Sequence, residues 1–115
     1  MQPLEATFAA LADPIRQAII ARLAQGEATV TQLMEPFGVS QPAISHHLKV
    51  LEQAGLIETR IVGQSRPRRL KPAALEAASG WLEQCRMTYE SRFTRLDSLL
   101  ADLKQQRSET DPKGN

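Results

Sequence analysis

The sequence has very little cysteine, since Cys85 is the only one among 115 residues. A single thiol excludes a disulfide within the chain and is typical of proteins from a reducing compartment. No apolar run approaches the roughly 18 residues that a membrane span needs. The N-terminus lacks the basic and apolar segments of an export signal. We therefore expect a cytoplasmic protein that has no membrane partner.

Motifs for catalysis and for metal binding are also missing. The sequence has no glycine-rich phosphate loop, no Ser/His/Asp set in a plausible order and no paired carboxylates in an apolar context. His46 and His47 are adjacent, so on a helix their side chains point about 100° apart and do not readily bind one ion. We expect neither an enzyme nor a resident metal or cofactor.

The length is that of one domain, and a domain this small gains core by dimerising. A net charge of +1 gives by itself no sign of a nucleic-acid partner. The distribution of charge does, because residues 60–71 contain five basic residues and no acid: Arg60, Arg66, Arg68, Arg69 and Lys71. This concentration predicts contacts with phosphates. The alternative is a strand edge that charge protects against aggregation.

The segment from Ser40 to Leu51, SQPAISHHLKVL, has the pattern of a helix with one apolar face. Ser40 is a natural N-cap, and Pro42 falls in the first turn, where its missing N–H costs little. Gly55 predicts a left-handed C-cap that ends the helix near Ala54. The apolar residues recur at spacings of four and three: Ile44, Leu48 and Leu51.

The opposite face of this helix is polar and has no acid before Glu52. Short polar side chains at the N-terminal end of a helix suit the major groove, where they reach base edges. We expect base contacts from Gln41, Pro42, Ser45 and His46, whereas His47 is expected to pack against its own domain. The alternative is a half-buried core helix with incidental polar residues.

The preceding segment completes a helix-turn-helix. Residues 31–37 predict a short helix with an N-cap at Thr31, and Gly38 with Val39 predicts a tight turn into Ser40. Two helices joined by a short turn that contains glycine form the helix-turn-helix, whose second helix enters the major groove.

The following segment predicts a β-hairpin. Residues 56–62 alternate apolar and polar side chains, as a half-buried strand does. Residues 63–65 read as the hairpin tip. Residues 67–70 are expected to form a short return strand at the sheet edge, because Pro67 cannot donate a ladder hydrogen bond. A hairpin directly after a recognition helix is a wing, here expected over residues 56–71.

Upstream of these elements the sequence predicts scaffold helices. Residues 4–12 form a short helix with an apolar face of Leu4, Phe8 and Leu11. Asp13 is expected to cap the next helix and Pro14 to occupy its first position. We expect packing roles only for this region, with Arg16 as a solvated surface side chain.

Three pieces occur together and in order: ALADPIR at residues 10–16, SQPAISHHLKVLEQAGL at residues 40–56 and GQSR at residues 63–66. Over roughly residues 4–103 the chain resembles the winged-helix repressors of the ArsR/SmtB family. The resemblance implies a small cytoplasmic homodimer that binds double-stranded operator DNA. It also implies a small-molecule inducer, since many members release DNA when an inducer binds. Return strands in the family often carry aromatics, so the Pro67-Arg68-Arg69 stretch predicts a short or mobile wing.

On this basis we expect a mostly α fold with a small β-hairpin, a winged helix-turn-helix in a single domain over residues 1–107. The function expected is that of a homodimeric transcriptional repressor bound to an inverted-repeat operator. Contacts with phosphates or with the minor groove are expected from the N-cap, the recognition helix and the wing, namely from Ser40, Lys49, Gln64, Arg66 and Arg68.

Residues 73–107 contain no proline and predict one long helix. Apolar residues recur along it every seven positions, with a second row between them. A row of five heptad positions exceeds what a domain of this size covers, so the stripe is expected to meet a partner. The predicted dimer interface contains Leu75, Leu82, Cys85, Tyr89, Leu96, Leu99 and Leu103. Residues 108–115 are polar and predict a disordered tail.

Metal sensing is not expected. Metal-sensing relatives place paired cysteines on the short helix before the recognition helix, or histidine and acidic ligands on the C-terminal helix. Neither set is present in this sequence. Two alternatives stay open: a redox-responsive repressor that acts through Cys85, and a helical adaptor that keeps the fold and binds another protein.

Overall fold

The computed structural model describes residues 3–110. Within them, five helices and one two-stranded antiparallel sheet follow one another along the chain. The elements are α1 (Leu4–Ala10), α2 (Pro14–Leu23), α3 (Val30–Met34), α4 (Gln41–Gln53), β1 (Ile57–Thr59), β2 (Arg68–Leu70) and α5 (Pro72–Thr110). Internal contacts divide the chain into a first unit that ends at Ser79 and a second that begins at Gly80.

The N-cap of helix α3 lies two residues earlier than predicted, at Thr29. The Thr29 hydroxyl accepts a hydrogen bond from the Gln32 backbone N–H at 3.3 Å, and the Gln32 side-chain oxygen accepts one from the Thr29 N–H at 2.9 Å. This reciprocal pair is a capping box. The predicted N-cap at Thr31 is therefore wrong, because Thr29 has a glutamine three residues downstream that completes the box.

Helix α4 has the predicted bounds. The Ser40 hydroxyl accepts a hydrogen bond from the Ala43 N–H at 3.3 Å, and Ala54 is the C-cap. Gly55 follows with φ of 76°, a left-handed conformation that glycine adopts without a steric penalty. The apolar face of α4 is fully buried, since Ile44, Leu48 and Leu51 are each at most 2% exposed.

The core of the first unit is one cluster to which every element from α1 to β1 contributes. Its members are Ala10, Ile19, Leu23, Ala28, Leu33, Ile44, Leu48, Leu51, Ala54, Leu56 and Ile57. Leu75, at the start of α5, packs against this cluster and is half-buried. Leu75 thus has a packing role within its own unit, and its place in a dimer interface stays a prediction.

The face that α1 buries also differs from the expected one. Thr7 and Ala10 are its buried residues, whereas the expected row of Leu4, Phe8 and Leu11 is half-buried. The helix ends at Ala10, two residues before the predicted end.

The wing hairpin pairs Ile57 with Leu70 and Thr59 with Arg68. Val62 and Ser65 exchange two backbone hydrogen bonds of 2.9 Å around a two-residue turn. Gly63 has φ of 64° there, as the first central residue of a type II′ hairpin turn requires. Each strand has only three residues, in agreement with the short wing that was predicted.

The return strand β2 is not an edge strand at Arg68. The Arg68 N–H donates to the Ala28 carbonyl at 2.8 Å, and the Ala28 N–H donates to the Arg68 carbonyl at 3.1 Å. Ala28 thus supplies a second neighbour for β2, opposite β1. Over the rest of its length β2 is the edge strand that was predicted, because the sheet has two strands and Ala28 forms an isolated bridge at Arg68 alone.

Helix α5 continues three residues beyond the predicted end at Arg107. No proline or glycine occurs between residues 81 and 111, so no backbone signal ends the helix at 107. Residues 108–110, expected in a disordered tail, are helical, and residues 111–115 of that tail lie outside the described residues. Across residues 3–110, no helix is long and apolar enough to cross a membrane.

The capping box of α3 gives a matched pair of variants. We expect Thr29→Ala to lower the free energy of unfolding by about 0.5–2 kcal/mol, because it removes the cap of the orphan N–H groups. Thr31→Ala replaces an exposed residue inside α3 and should change that free energy by less than about 0.5 kcal/mol. Urea denaturation measures both, and a larger loss for Thr31→Ala would contradict the assigned cap.

Candidate nucleic-acid interface

Helix α4 separates a buried face from an open polar one. All four residues expected at base edges, Gln41, Pro42, Ser45 and His46, are exposed, and so is Lys49. The structure therefore brings the predicted contact residues together on one accessible side of one helix. Because the opposite side is fixed in the core, this face has a defined orientation on the first unit.

The two ends of α4 differ in their electrostatics. Ser40 is exposed, and its hydroxyl accepts from the backbone while its own proton stays available to a phosphate oxygen. The positive end of the helix dipole lies at the same place. At the other end, Glu52 accepts a hydrogen bond from the Thr59 hydroxyl at 2.9 Å, so this acid is held toward the wing.

His47 lies at the border of the buried face, with its side chain 15% exposed. Its Nδ1 atom is 3.1 Å from Nη1 of Arg16 and 3.9 Å from Oδ2 of Asp13. The expectation that His47 packs against its own domain is confirmed.

Arg16 is not the solvated side chain that was expected. Its Nε donates to the Ala10 carbonyl at 2.6 Å and its Nη2 to the Ala9 carbonyl at 3.4 Å. These carbonyls belong to the last turn of α1, where helix carbonyls lack partners and the dipole favours a cation. Sequence reasoning missed this role, although the position of Arg16 just after a helix end was the available signal.

Asp13 caps α2, as predicted. Its Oδ2 accepts from the backbone N–H groups of Ile15 at 2.9 Å and Arg16 at 3.0 Å. The hydrogen bond from the Arg16 N–H, with the nearby charge of the Arg16 guanidinium, holds the pKa of the Asp13 carboxyl below its usual range. The carboxylate therefore stays ionised beside the recognition helix at neutral pH.

The basic run of residues 60–71 is partly neutralised. Arg60 contacts Glu27 at 2.8 Å, and Arg69 forms an ion pair with Glu58, its cross-strand partner. The count of five positive charges therefore overstated the field of the wing. Glu27 precedes Arg60 by 33 positions, so only the folded structure reveals that pair.

The other three cations of this run differ in exposure. Arg66 and Lys71 are exposed, and within residues 3–110 no carboxylate lies within ion-pair distance of either. Arg68 is half-buried, and its Nη1 donates to the Arg66 carbonyl at 2.7 Å. Gln64, in the hairpin turn, is exposed. The cation of the wing tip that is open to a phosphate is thus Arg66.

The second unit presents large apolar side chains. Leu82, Tyr89, Leu96, Leu99 and Leu103 are between 50% and 62% exposed, and Trp81, Phe93 and Leu100 accompany them. Cys85 is exposed. The rings of Tyr89 and Phe93 stack edge to face with centroids 4.7 Å apart. Six of the seven residues expected at a dimer interface, all but Leu75, therefore lie open on this part of α5.

In the part of the chain that the structure describes, no group of three or more His, Cys, Asp or Glu side chains could hold a metal ion. His46 and His47 have their ring centroids 5.8 Å apart, and His47 is engaged with Arg16.

Comparisons with known proteins match this architecture. The model of the bacterial regulatory protein arsR family matches residues 13–59, which include α2, α3, α4 and β1. The chain is 47% identical over 68 residues to the HTH-type transcriptional regulator Rv2034 of Mycobacterium tuberculosis, covering 59% of this chain and 64% of that protein. It is 36% identical over 75 residues to the transcriptional repressor SdpR of Bacillus subtilis, covering 65% of this chain and 83% of the repressor.

Solved structures extend the match to most of the fold. An ArsR-like transcriptional regulator from Rhodococcus sp. RHA1 superposes with a TM-score of 0.74 at 29% identity, over 84% of this chain and 91% of that one. A second ArsR family transcriptional regulator superposes with a TM-score of 0.71 at 35% identity, over 79% of this chain and 98% of that one. This family consists of regulators rather than enzymes, as the sequence motifs indicated. The chain therefore belongs to the arsR family of bacterial regulatory proteins and is a winged helix-turn-helix, DNA-binding transcriptional regulator.

Proposed function

We propose that this regulator is a cytoplasmic homodimeric repressor that reads an inverted-repeat operator with the outward face of α4. The observation that carries the proposal is the division of α4 into a buried apolar face and an exposed polar face. The similarity of this chain to a protein named a transcriptional repressor supports repression of transcription as the result of DNA binding.

The residue types on this face suit base edges. A glutamine such as Gln41 can bond an adenine at two atoms, and a serine such as Ser45 can donate or accept. Pro42 offers apolar contact to a thymine methyl group, and the exposed ring of His46 offers a nitrogen donor or acceptor. Together they give each half-site a short set of specific contacts.

Phosphate contacts are proposed from groups around this face: Ser40, Lys49, Gln64 and Arg66. Arg68 is a weaker candidate than the sequence indicated, because its guanidinium already donates to the Arg66 carbonyl. Phosphate contacts fix register on the duplex and carry little sequence information, so they would support binding to all duplexes equally.

The partner proposed for the apolar stretch of α5 is a second copy of this chain. An exposed row of leucines and aromatics along one helix exceeds what monomeric proteins usually leave in water. A two-fold pair of such helices buries the same residues on both chains. Two recognition helices related by a two-fold axis in turn require an inverted repeat.

Two other functions have an observation in their favour. Cys85 is exposed on α5, which keeps a redox-responsive repressor as an alternative. A change of operator affinity on peroxide that Cys85→Ser abolishes would favour it. The exposed apolar row of α5 also suits a helical adaptor, and a stable dimer without salt-dependent duplex binding would favour that function instead.

The base-reading face can be tested on an operator selected from random duplexes. We expect Gln41→Ala and Ser45→Ala each to weaken operator binding by about 1–3 kcal/mol for each half-site, because a specific base contact is lost there. Binding to random duplex should change little, and fluorescence anisotropy measures both affinities. Gln53→Ala is the matched control, since it removes an exposed glutamine from the far end of the same helix. Equal losses on operator and random duplex would count against base reading.

The wing offers a second matched pair. Arg66→Gln should lower the slope of log affinity against log salt by about two units on any duplex, because each protomer of the dimer loses one phosphate contact. Arg69→Gln should change the slope less, since Arg69 is paired with Glu58. Affinities measured across a salt series decide, and equal changes in the two variants would refute the assignment of Arg66.

The dimer seam can be tested by charge. Leu82→Glu with Leu96→Glu would bury carboxylates in an apolar interface, at a cost on the order of several kcal/mol of association. Sedimentation should show monomers, and operator affinity should fall because the half-sites are no longer linked. The control variant is Ser91→Glu with Ser98→Glu. At 3.6 residues per turn these two serines lie on the opposite side of the helix, so the dimer should stay intact. A dimer that survives the leucine substitutions would exclude this seam.

A further inference from the structure

Arg16 joins three segments of the first unit at one point. Its guanidinium donates to the carbonyls of Ala10 and Ala9 at the end of α1, and its own backbone belongs to α2. The remaining contact, from Nη1 to the Nδ1 atom of His47 at 3.1 Å, reaches α4. This side-chain hydrogen bond ties the recognition helix to α2.

The chemistry of this contact fixes the state of the histidine. A guanidinium keeps its protons at any pH that a folded protein meets, so it can only donate. Nδ1 of His47 must therefore accept, which requires a neutral ring with its proton on Nε2. Oδ2 of Asp13, 3.9 Å from Nδ1, already accepts two backbone hydrogen bonds and lies beyond hydrogen-bond distance of the ring.

The position of His47 allows the contact to restrain the rotation of α4. The residue directly follows Ser45 and His46 of the outward face and directly precedes Leu48 of the buried face. Apolar packing is non-directional and tolerates small rotations of a helix about its axis. A hydrogen bond is directional and weakens steeply as its angle departs from linear. A bond at the border of the two faces therefore restrains the rotation that aims the base-reading side chains.

We propose that Arg16 is a positioning residue for operator recognition, which fixes the rotation of α4 on α1 and α2 through neutral His47. The inference rests on the proposed function, since it concerns how the same face is aimed. It predicts that Arg16 affects the preference for operator over random duplex without touching DNA.

The test is a double-mutant cycle of Arg16→Met and His47→Leu, with the operator-to-random affinity ratio as the readout in samples shown by circular dichroism to be folded. Each single variant should lower the ratio about tenfold, and the double variant should lose about the same, because the two residues act through one contact. His47→Asn places an amide oxygen at the position of Nδ1 and should retain most of the ratio, unless Arg16→Met is also present.

Gln17→Met is the matched control. Gln17 also caps α1, through a 2.8 Å bond to the Leu11 carbonyl, and within the described residues no hydrogen bond links it to α4. It should therefore leave the ratio unchanged. The inference would be overturned if the operator-to-random ratio fell no further in Arg16→Met than in Gln17→Met. It would also be overturned if the double variant lost about a hundredfold, since the two single losses would then be independent. Either result would leave base reading intact. A wild-type protein without any operator preference would overturn both.

A measurement on the wild-type protein keeps the inference testable if Arg16→Met unfolds. Nitrogen-15 NMR of the histidine rings at neutral pH should show Nδ1 of His47 unprotonated and its Nε2 protonated. A proton on Nδ1 would exclude the Arg16 bond and with it the proposed role.

Discussion

The burial of one face of α4 is the constraint on which the rest of this protein depends. Ile44, Leu48 and Leu51 lie in the same core cluster as residues of α2, α3 and β1, so a large movement of the recognition helix would disturb the first unit. That burial supplies stability, and it also leaves the polar side of α4 in water with a defined direction. Burial alone sets this direction coarsely, and the bond from Arg16 to His47 adds the angular restraint that non-directional packing lacks.

The wing is anchored in the same core, and its fold pairs some of its own positive charges. Ile57 anchors β1 in the cluster, and the Ala28 backbone pairs with Arg68 on the far side of β2. This arrangement brings Glu58 and Glu27 beside two of the arginines, so that two of the five positive charges are paired within the fold. The exposed Arg66 near the tip remains for phosphates, which limits the non-specific affinity that a fully basic wing would give.

Sequence reasoning predicted the parts that depend on short-range signals. Ser40 and Gly55 mark the ends of α4 through local caps. The spacing of its apolar residues by four and three determines which face is buried, so the opposite face could be predicted as the candidate site. The failures have longer-range causes. The pairs of Arg60 with Glu27 and of Arg16 with His47 join residues 33 and 31 positions apart, and no local pattern encodes them. The cap at Thr29 was a local signal that was missed, because its evidence lies in the side chain of Gln32.

The central claim, that α4 lies in the major groove in two copies, can be tested by probing guanine N7 atoms with dimethyl sulfate. These atoms face the major groove, so bound α4 should protect them while leaving the reactivity of minor-groove positions beneath it unchanged. On a selected operator we expect two protected patches, related by a dyad and about 10 base pairs or a multiple of that apart. Uniform reactivity of guanine N7 across a saturated operator, or a single protected patch, would contradict the account.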